Sequence, residues 1–128
     1  MIRIRILAVL LVAGLLAPPP ALAQQRATKA ERSAIVAAVV RQGELSKAQA
    51  VCQVVTISTV NQSYASLTWP AKPSKACVRF AANGVIIEHR KGRQWDFATV
   101  GSSFRCPIKG VPIRVAADLG VCPPPTGL

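Results

Sequence analysis

The chain has 128 residues, and its 16 Lys and Arg residues outnumber its 5 Asp and Glu residues, so the formal net charge is +11. A chain of this length is typical of one domain. A single histidine and few carboxylates argue against metal enzymes and against hydrolases that depend on paired acids.

The N-terminus has the pattern of a Sec-type signal peptide. Arg3 and Arg5 precede an uncharged apolar run at residues 6–17, three prolines follow, and the small-x-small motif ends at Ala23. A 12-residue helix rises about 18 Å, which is too short for a bilayer core of about 30 Å. The pattern predicts cleavage between Ala23 and Gln24, a secreted protein and no transmembrane segment after cleavage.

The predicted mature protein, residues 24–128, is a single secreted domain of about 105 residues. It keeps 14 basic and 5 acidic residues, a net charge of +9. Such a charge attracts polyanions. We expect an ordered core over residues 27–122 and a frayed tail at residues 123–128.

The first mature element is a helix over residues 29–42. Thr28 and Glu31 have capping-box spacing, Gly43 follows the last turn, and an apolar stripe has helical periodicity: Ile35, Val36, Val39 and Val40. Residues 44–50 fit either a loop or a short helical turn.

The composition then changes to β-branched residues, which predicts strands at residues 51–60, 64–69, 77–82, 85–90 and 93–100. Three turns separate consecutive strands, at residues 61–63, at Asn83–Gly84 and around Lys91–Gly92.

A short helix is predicted at residues 112–119, with Ile113, Ala116 and Ala117 on one side and Gly120 as its stop. The fold class is α+β: an N-terminal helix packed on a four- to five-stranded antiparallel meander sheet, and a short C-terminal helix. We expect both helices on one face of the sheet.

An even number of cysteines in a small exported domain indicates two disulfides. Cys52 and Cys77 flank the first predicted hairpin, and Cys106 and Cys122 bracket the C-terminal helix. We therefore favour the pairs Cys52–Cys77 and Cys106–Cys122, each stabilising the fold by roughly 3 to 3.5 kcal/mol. The alternative is Cys52–Cys106 with Cys77–Cys122. A metal site would prefer closely paired cysteines with histidine partners, so we expect no metal.

No catalytic set emerges. His89 is the only histidine, and we place it at the end of an inward-facing row with Val85 and Ile87. Ser102 and Ser103 follow a glycine without the strand-turn-helix context of a nucleophile elbow. Glu88 and Asp96 flank the turn at Lys91–Gly92, where cross-strand ion pairing with the neighbouring arginines is the expected role, and no acid is identifiable as having a raised pKa.

The segment HRKGRQW, residues 89–95, is the remaining functional candidate. Arg90, Lys91 and Arg93 surround the turn and could bind phosphates or carboxylates, with Arg79 on a neighbouring predicted strand. We expect Trp95, together with His89, to face the core. Asn61 begins an Asn-x-Ser glycosylation triplet, but a turn position explains Asn61 fully, and the triplet matters only if the host glycosylates.

A series of short motifs between residues 34 and 122 resembles small exported four-cysteine proteins of high-GC actinobacteria: AIVAAVV, ISTV, YA, a central Cys77, GxxW, GSSxxC and DLxxC. The resemblance implies export and disulfide bonding, and no particular activity. The format of four cysteines in about 105 residues is also similar to that of secreted subtilisin inhibitors, although the cysteine spacings do not suit that family.

We therefore expect a secreted, disulfide-stabilised, non-catalytic cationic binding module without a cofactor. The expected partners are an anionic cell-wall polymer or lipid surface, with no specific nucleic acid. The first alternative is a protease inhibitor that presents the loop at residues 69–75. The second is a hydrolase that uses His89.

Overall fold

A computed structural model describes residues 25–126. The predicted signal peptide at residues 1–23 and the last two residues of the predicted tail lie outside this range. The elements in chain order are β1 (Gln25–Arg26), α1 (Lys29–Arg41), α2 (Lys47–Ala50), β2 (Val54–Ile57), β3 (Tyr64–Thr68), a 3₁₀ turn (Val78–Phe80), β4 (Val85–Lys91), β5 (Gln94–Gly101) and α3 (Ile113–Asp118).

The five strands form one antiparallel sheet in the order β1-β2-β3-β4-β5. Each strand pairs with its neighbour in sequence, so the predicted meander is confirmed. The register places Tyr64 opposite His89, and His89 opposite Asp96 on the next strand. A bulge between Ile87 and Glu88 interrupts the pairing of β4 with β5.

Helix α1 begins as the sequence predicts, and it packs through Ala38 rather than Val40 of the predicted stripe. Thr28 Oγ1 accepts a hydrogen bond from the Glu31 amide, and the Glu31 carboxylate accepts one from the Thr28 amide. Ile35, Ala38 and Val39 pack against the sheet in a core built with Val55, Ile57, Ala65, Leu67, Ile86 and Trp95. The capped helix thus covers one face of the sheet.

The C-terminal helix α3 covers the other face, which corrects the expectation that the N-terminal and C-terminal helices share a face. Side chains alternate across a strand. Ile86 packs in the α1 core and Ile87 packs with α3. The buried side of α3 also differs from the predicted one: Val115, Ala116 and Leu119 are buried, whereas Ile113 is 45% exposed.

The strand predicted at residues 77–82 is absent, and with it the Asn83–Gly84 hairpin. This segment forms the 3₁₀ turn Val78–Phe80, and β4 pairs with β3 instead. Five register pairs join β3 to β4, so no further strand fits between them. A local β-rich pattern carries no information about which neighbour a strand will find.

Both predicted disulfides are confirmed. Cys52 pairs with Cys77 and Cys106 pairs with Cys122, so each of the four cysteines is oxidised. Two disulfides in a domain of this size are typical of proteins that fold in an oxidising compartment.

Two short elements fix details that the sequence left open. Residues 44–50 include the single-turn helix α2, which Ser46 and Gln49 close with a second capping box. The two-residue strand β1 pairs with Ile57 and Thr56. Strand β1 was not predicted, because two residues show no periodicity.

Candidate cationic site at the β4–β5 hairpin

The hairpin between β4 and β5 carries the densest group of predicted site residues. Gly92 has a φ of 63° at the first central position of a two-residue loop, as a type II′ turn requires. Arg90, Lys91 and Arg93 are exposed around this turn. We call residues 90–94 the hairpin tip.

Arg79, the fourth predicted binding residue, does not join the hairpin tip. It lies in the 3₁₀ turn beside Cys77, which is bonded to Cys52 just before β2. The start of β2 aligns through β3 with the start of β4, whereas the hairpin tip follows the other end of β4. The Arg79 guanidinium instead lies 4.5 Å from the centre of the Phe80 ring.

His89 and Trp95 lie on opposite faces of the sheet, which corrects the prediction that they share one inner face. Trp95 pairs with Arg90 and packs in the α1 core, and the Arg90 guanidinium lies 5.7 Å from the Trp95 ring centre. The His89 ring stacks on Tyr64 on the α3 face, with ring centres 4.2 Å apart and planes within 7° of parallel. Helices cover both faces of the sheet, so a side chain can point towards a core from either face.

A cleft of about 550 Å³ separates α1 from the hairpin tip. We call it the α1–hairpin cleft. Its volume lies within the range of small-ligand sites, roughly 300 to 1,000 Å³. Two arginines lie among its lining residues, which include no carboxylate: Ala34, Ala37, Ala38, Arg41, Arg93, Gln94 and Trp95.

Arg41 is a site residue that the sequence did not reveal. It belongs to the last turn of α1, and its Nη2 donates to the Trp95 carbonyl at 3.5 Å. On the helix it follows Ala34, Ala37 and Ala38 at spacings of seven, four and three, which place all four residues on one stripe. Its position off the apolar stripe was visible in the sequence, but the hairpin opposite it was not.

Glu88 does not pair with the basic residues of its own strand, contrary to the expectation. It is fully buried on the α1 face, where Gln42 Nε2 donates to Glu88 Oε2 at 3.2 Å and to the Trp95 carbonyl at 3.0 Å. Asp96 lies on the opposite face and accepts a hydrogen bond from Gln94. The side-chain hydrogen bonds of the two acids thus come from Gln42 and Gln94, and neither acid is bonded to Arg90, Lys91 or Arg93.

The environment of Glu88 favours the neutral carboxyl group. Burial raises its pKa to about 7, and the hydrogen bond from Gln42 offsets only part of this effect. Glu88 Oε1 and Gln42 Oε1 are both buried without hydrogen-bond partners. When Glu88 is ionised, both of these oxygens can only accept hydrogen bonds. A proton on the Glu88 carboxyl group gives the pair a donor. Glu88 is therefore an acid with a raised pKa that the sequence did not identify, and it lies beneath the cleft lining rather than in it.

The residues of the hydrolase alternative are not brought together. Ser102 and Ser103 follow Gly101, which pairs with Val85, four residues from His89 along β4. Four strand residues span about 13 Å, well beyond hydrogen-bond reach. The His89 ring contacts Tyr64 instead.

The loop of the inhibitor alternative is exposed at four positions: Ala71, Lys72, Ser74 and Lys75. It connects β3 to the disulfide-bonded Cys77.

Asn61, in the β2–β3 turn, is also exposed, and its side chain accepts a hydrogen bond from the Ser63 amide. This bond gives Asn61 a role in the turn itself.

Within residues 25–126, no group of three or more His, Cys, Asp and Glu side chains is arranged to hold a metal ion. None of the helices in this described part of the chain is long and apolar enough to cross a membrane. No family model, no curated protein and no solved structure matches the chain. The hairpin tip and the adjoining cleft are the features on which a functional proposal can rest.

Proposed function

We propose that this protein is an exported, non-catalytic binding module that attaches to anionic polymers of the cell envelope through the hairpin tip. Export is supported by the pattern of a cleavable signal segment, and the two disulfides are compatible with an oxidising destination. The resemblance to small exported actinobacterial proteins supports the same location.

One observation carries the proposal: the charge of the hairpin tip is not neutralised by the acids of its own strands. Arg90, Lys91 and Arg93 are exposed, whereas Glu88 is buried and bonded to Gln42. Asp96 shares the face of Lys91, but its carboxylate accepts its hydrogen bond from Gln94 and not from a basic residue. The predicted mature protein has a net charge of +9, and its field adds to that of the hairpin tip in attracting phosphates or carboxylates from solution. Exposed cations bind in a salt-dependent way, because mobile ions screen them.

The test is co-sedimentation with purified cell-wall material over a salt series from about 50 mM to about 500 mM. We expect binding at low salt that weakens as salt rises, and its loss when Arg90, Lys91 and Arg93 are all changed to Gln. The matched control changes Lys72, Lys75 and Arg79 to Gln, which removes the same charge from exposed residues outside the hairpin tip.

Retention of binding by the control variant supports the hairpin tip as the attachment point. Equal weakening of both variants would show that only diffuse charge matters, and absence of binding at low salt would remove the proposal altogether. Both triple variants are expected to fold, because the substituted side chains are exposed.

The inhibitor function is the second candidate, favoured by the exposed loop that Cys77 anchors. It predicts that micromolar protein slows subtilisin-like or trypsin-like proteases and that Lys72→Ala or Lys75→Ala weakens this effect. Proteolysis at an unchanged rate excludes it.

A further inference from the structure

We propose that the α1–hairpin cleft binds one acidic sugar unit of such a polymer, meaning a sugar ring that carries a carboxylate or a phosphate. This inference rests on the proposed function and gives it a defined ligand class. The hairpin tip supplies attraction at long range, and the cleft supplies a specific contact.

The shape of the cleft follows from the small side chains of α1. Ala34 and Ala37 are exposed on the helix stripe that faces the hairpin, and Ala38 on the same stripe is buried in the core. Methyl groups leave open a space that longer side chains would fill. The resulting wall is apolar and suits the C–H surface of a sugar ring.

The anionic group of the ligand is assigned to Arg41 and Arg93. Arg41 comes from the helix and Arg93 from the hairpin tip, so the two guanidinium groups approach the cleft from different elements. Arg41 commits Nη2 to the Trp95 carbonyl, which orients the side chain and leaves its other N–H donors for a ligand. Guanidinium groups bind carboxylate and phosphate oxygens through paired, charge-assisted hydrogen bonds.

The same residues argue against a nucleic acid base and against a membrane. Trp95 is only 5% exposed and Arg90 lies over its ring, so no open aromatic face is available for stacking. The hairpin tip itself contains no large apolar side chain that could enter a bilayer: Arg90, Lys91, Gly92, Arg93 and Gln94. A sugar needs neither feature.

The experiment titrates the disulfide-bonded protein with three probes and follows backbone amide shifts by NMR. Trigalacturonate carries carboxylates, glucose 6-phosphate carries a phosphate, and maltotriose is neutral. We expect saturable shifts at α1 and the hairpin tip with at least one acidic probe and none with maltotriose. The probe that binds more tightly identifies which anionic group the site takes.

Two kinds of variant separate the cleft from general charge. Ala37→Leu fills the cleft without changing charge and should weaken binding at least about tenfold, whereas Ala82→Leu, exposed in the loop before β4, should leave it within about twofold. Arg41→Gln and Arg93→Gln should each weaken binding by roughly tenfold. Arg114→Gln on α3 removes the same charge and should have little effect.

Unchanged affinity in Ala37→Leu overturns the cleft assignment, as does equally tight binding of an oligothymidylate that Ala37→Leu does not weaken. Either result leaves attachment by the hairpin tip intact if the salt-sensitive co-sedimentation persists. Conversely, specific binding of an acidic probe without any cell-wall binding supports the cleft and removes the proposed function. The two proposals therefore fail separately.

Discussion

A buried or partly buried carboxyl group lies at each of the two junctions between a helix and the sheet, and the pKa values of the two groups are shifted in opposite directions. At the α1 junction, Glu88 is fully buried and receives one side-chain hydrogen bond, from Gln42. At the α3 junction, Asp118 receives hydrogen bonds from several donors, among them Ser58 Oγ at 2.9 Å, the Thr59 amide at 2.8 Å and Thr59 Oγ1 at 2.9 Å.

The number of donors decides which form each group takes. Burial disfavours the charge on both carboxyls. At Asp118 the hydrogen bonds from Ser58 and Thr59 outweigh that cost and lower its pKa below the usual range. At Glu88 the single bond from Gln42 does not, and burial raises the pKa to about 7. In mildly acidic solution one junction thus holds an anion and the other a neutral acid.

The two junctions therefore respond to pH with opposite signs. Asp118 contributes stability that is present above its unfolded pKa of about 3.8 and is lost as the pH falls through its lower folded value. Glu88 binds its proton more tightly in the folded state, so its contribution is present below about pH 4.5 and is lost as the pH rises to about 7. Together these groups favour a stability maximum in mildly acidic solution.

The largest predicted effect comes from removing the anion at the α3 junction. Asp118→Ala leaves the buried Ser58 hydroxyl and the Thr59 amide without their acceptor and should lower the free energy of unfolding by about 4 kcal/mol near pH 7. Urea denaturation followed by circular dichroism measures the change. Asp118→Asn keeps one acceptor oxygen and should lose about half as much.

The matched control for this prediction is Asp96→Ala. Asp96 is also an acid, but it accepts only the exposed Gln94 side chain, so its removal should cost less than about 1 kcal/mol. Equal losses in Asp118→Ala and Asp96→Ala would contradict the role given to the hydrogen bonds at the α3 junction.

The next effect is a gain at the α1 junction. Glu88→Gln imitates the protonated acid, keeps an acceptor for Gln42 Nε2 and adds a donor for Gln42 Oε1. A pKa raised from 4.5 to about 7 corresponds to a penalty of about 3 kcal/mol for the ionised group. The variant should therefore be about 3 kcal/mol more stable than the parent at pH 8 and nearly equal to it below pH 4.5.

Urea denaturation at several pH values between 4 and 8 tests this prediction. The parent protein should lose stability as the pH rises through this range, and Glu88→Gln should lose much less. Glu44→Gln removes an exposed acid whose charge contributes to the raised pKa of Glu88, after burial, and should therefore reduce the slope only slightly. A parent slope that Glu88→Gln does not reduce would show that folding does not raise the pKa of Glu88.

The sequence predicts features whose causes are local, and these include the capping box of α1, the turn at Gly92 and the exposure of Arg90, Lys91 and Arg93. The pairing of Cys52 with Cys77 was also predictable from the sequence, because a β2–β3 hairpin brings the start of β2 and the end of β3 to the same end of the sheet. In each case, residues close in sequence carry the signal.

Features that depend on which element packs where were predicted wrongly or missed. Residues 77–82 have a strand-like composition, but β3 already occupies the edge of β4. A sheet with one buried face would have His89 and Trp95 on the same side, whereas α1 and α3 bury both faces of this sheet and the two residues lie on different ones. For the same reason the cleft was not predicted: it requires Arg41 of α1 to meet Arg93 across the tertiary structure.

The smallest predicted effect concerns the stacked rings on the α3 face. His89→Ala removes the stacking on Tyr64 and should lower the free energy of unfolding by about 1 kcal/mol. His89→Phe restores an aromatic ring and should recover most of that loss, since the contribution of His89 comes from packing rather than proton transfer. Binding to cell-wall material should be unchanged in both variants, because His89 faces away from the α1–hairpin cleft. A loss of cell-wall binding in His89→Phe at unchanged stability would show that the α3 face, and not only the α1 face, carries a binding surface.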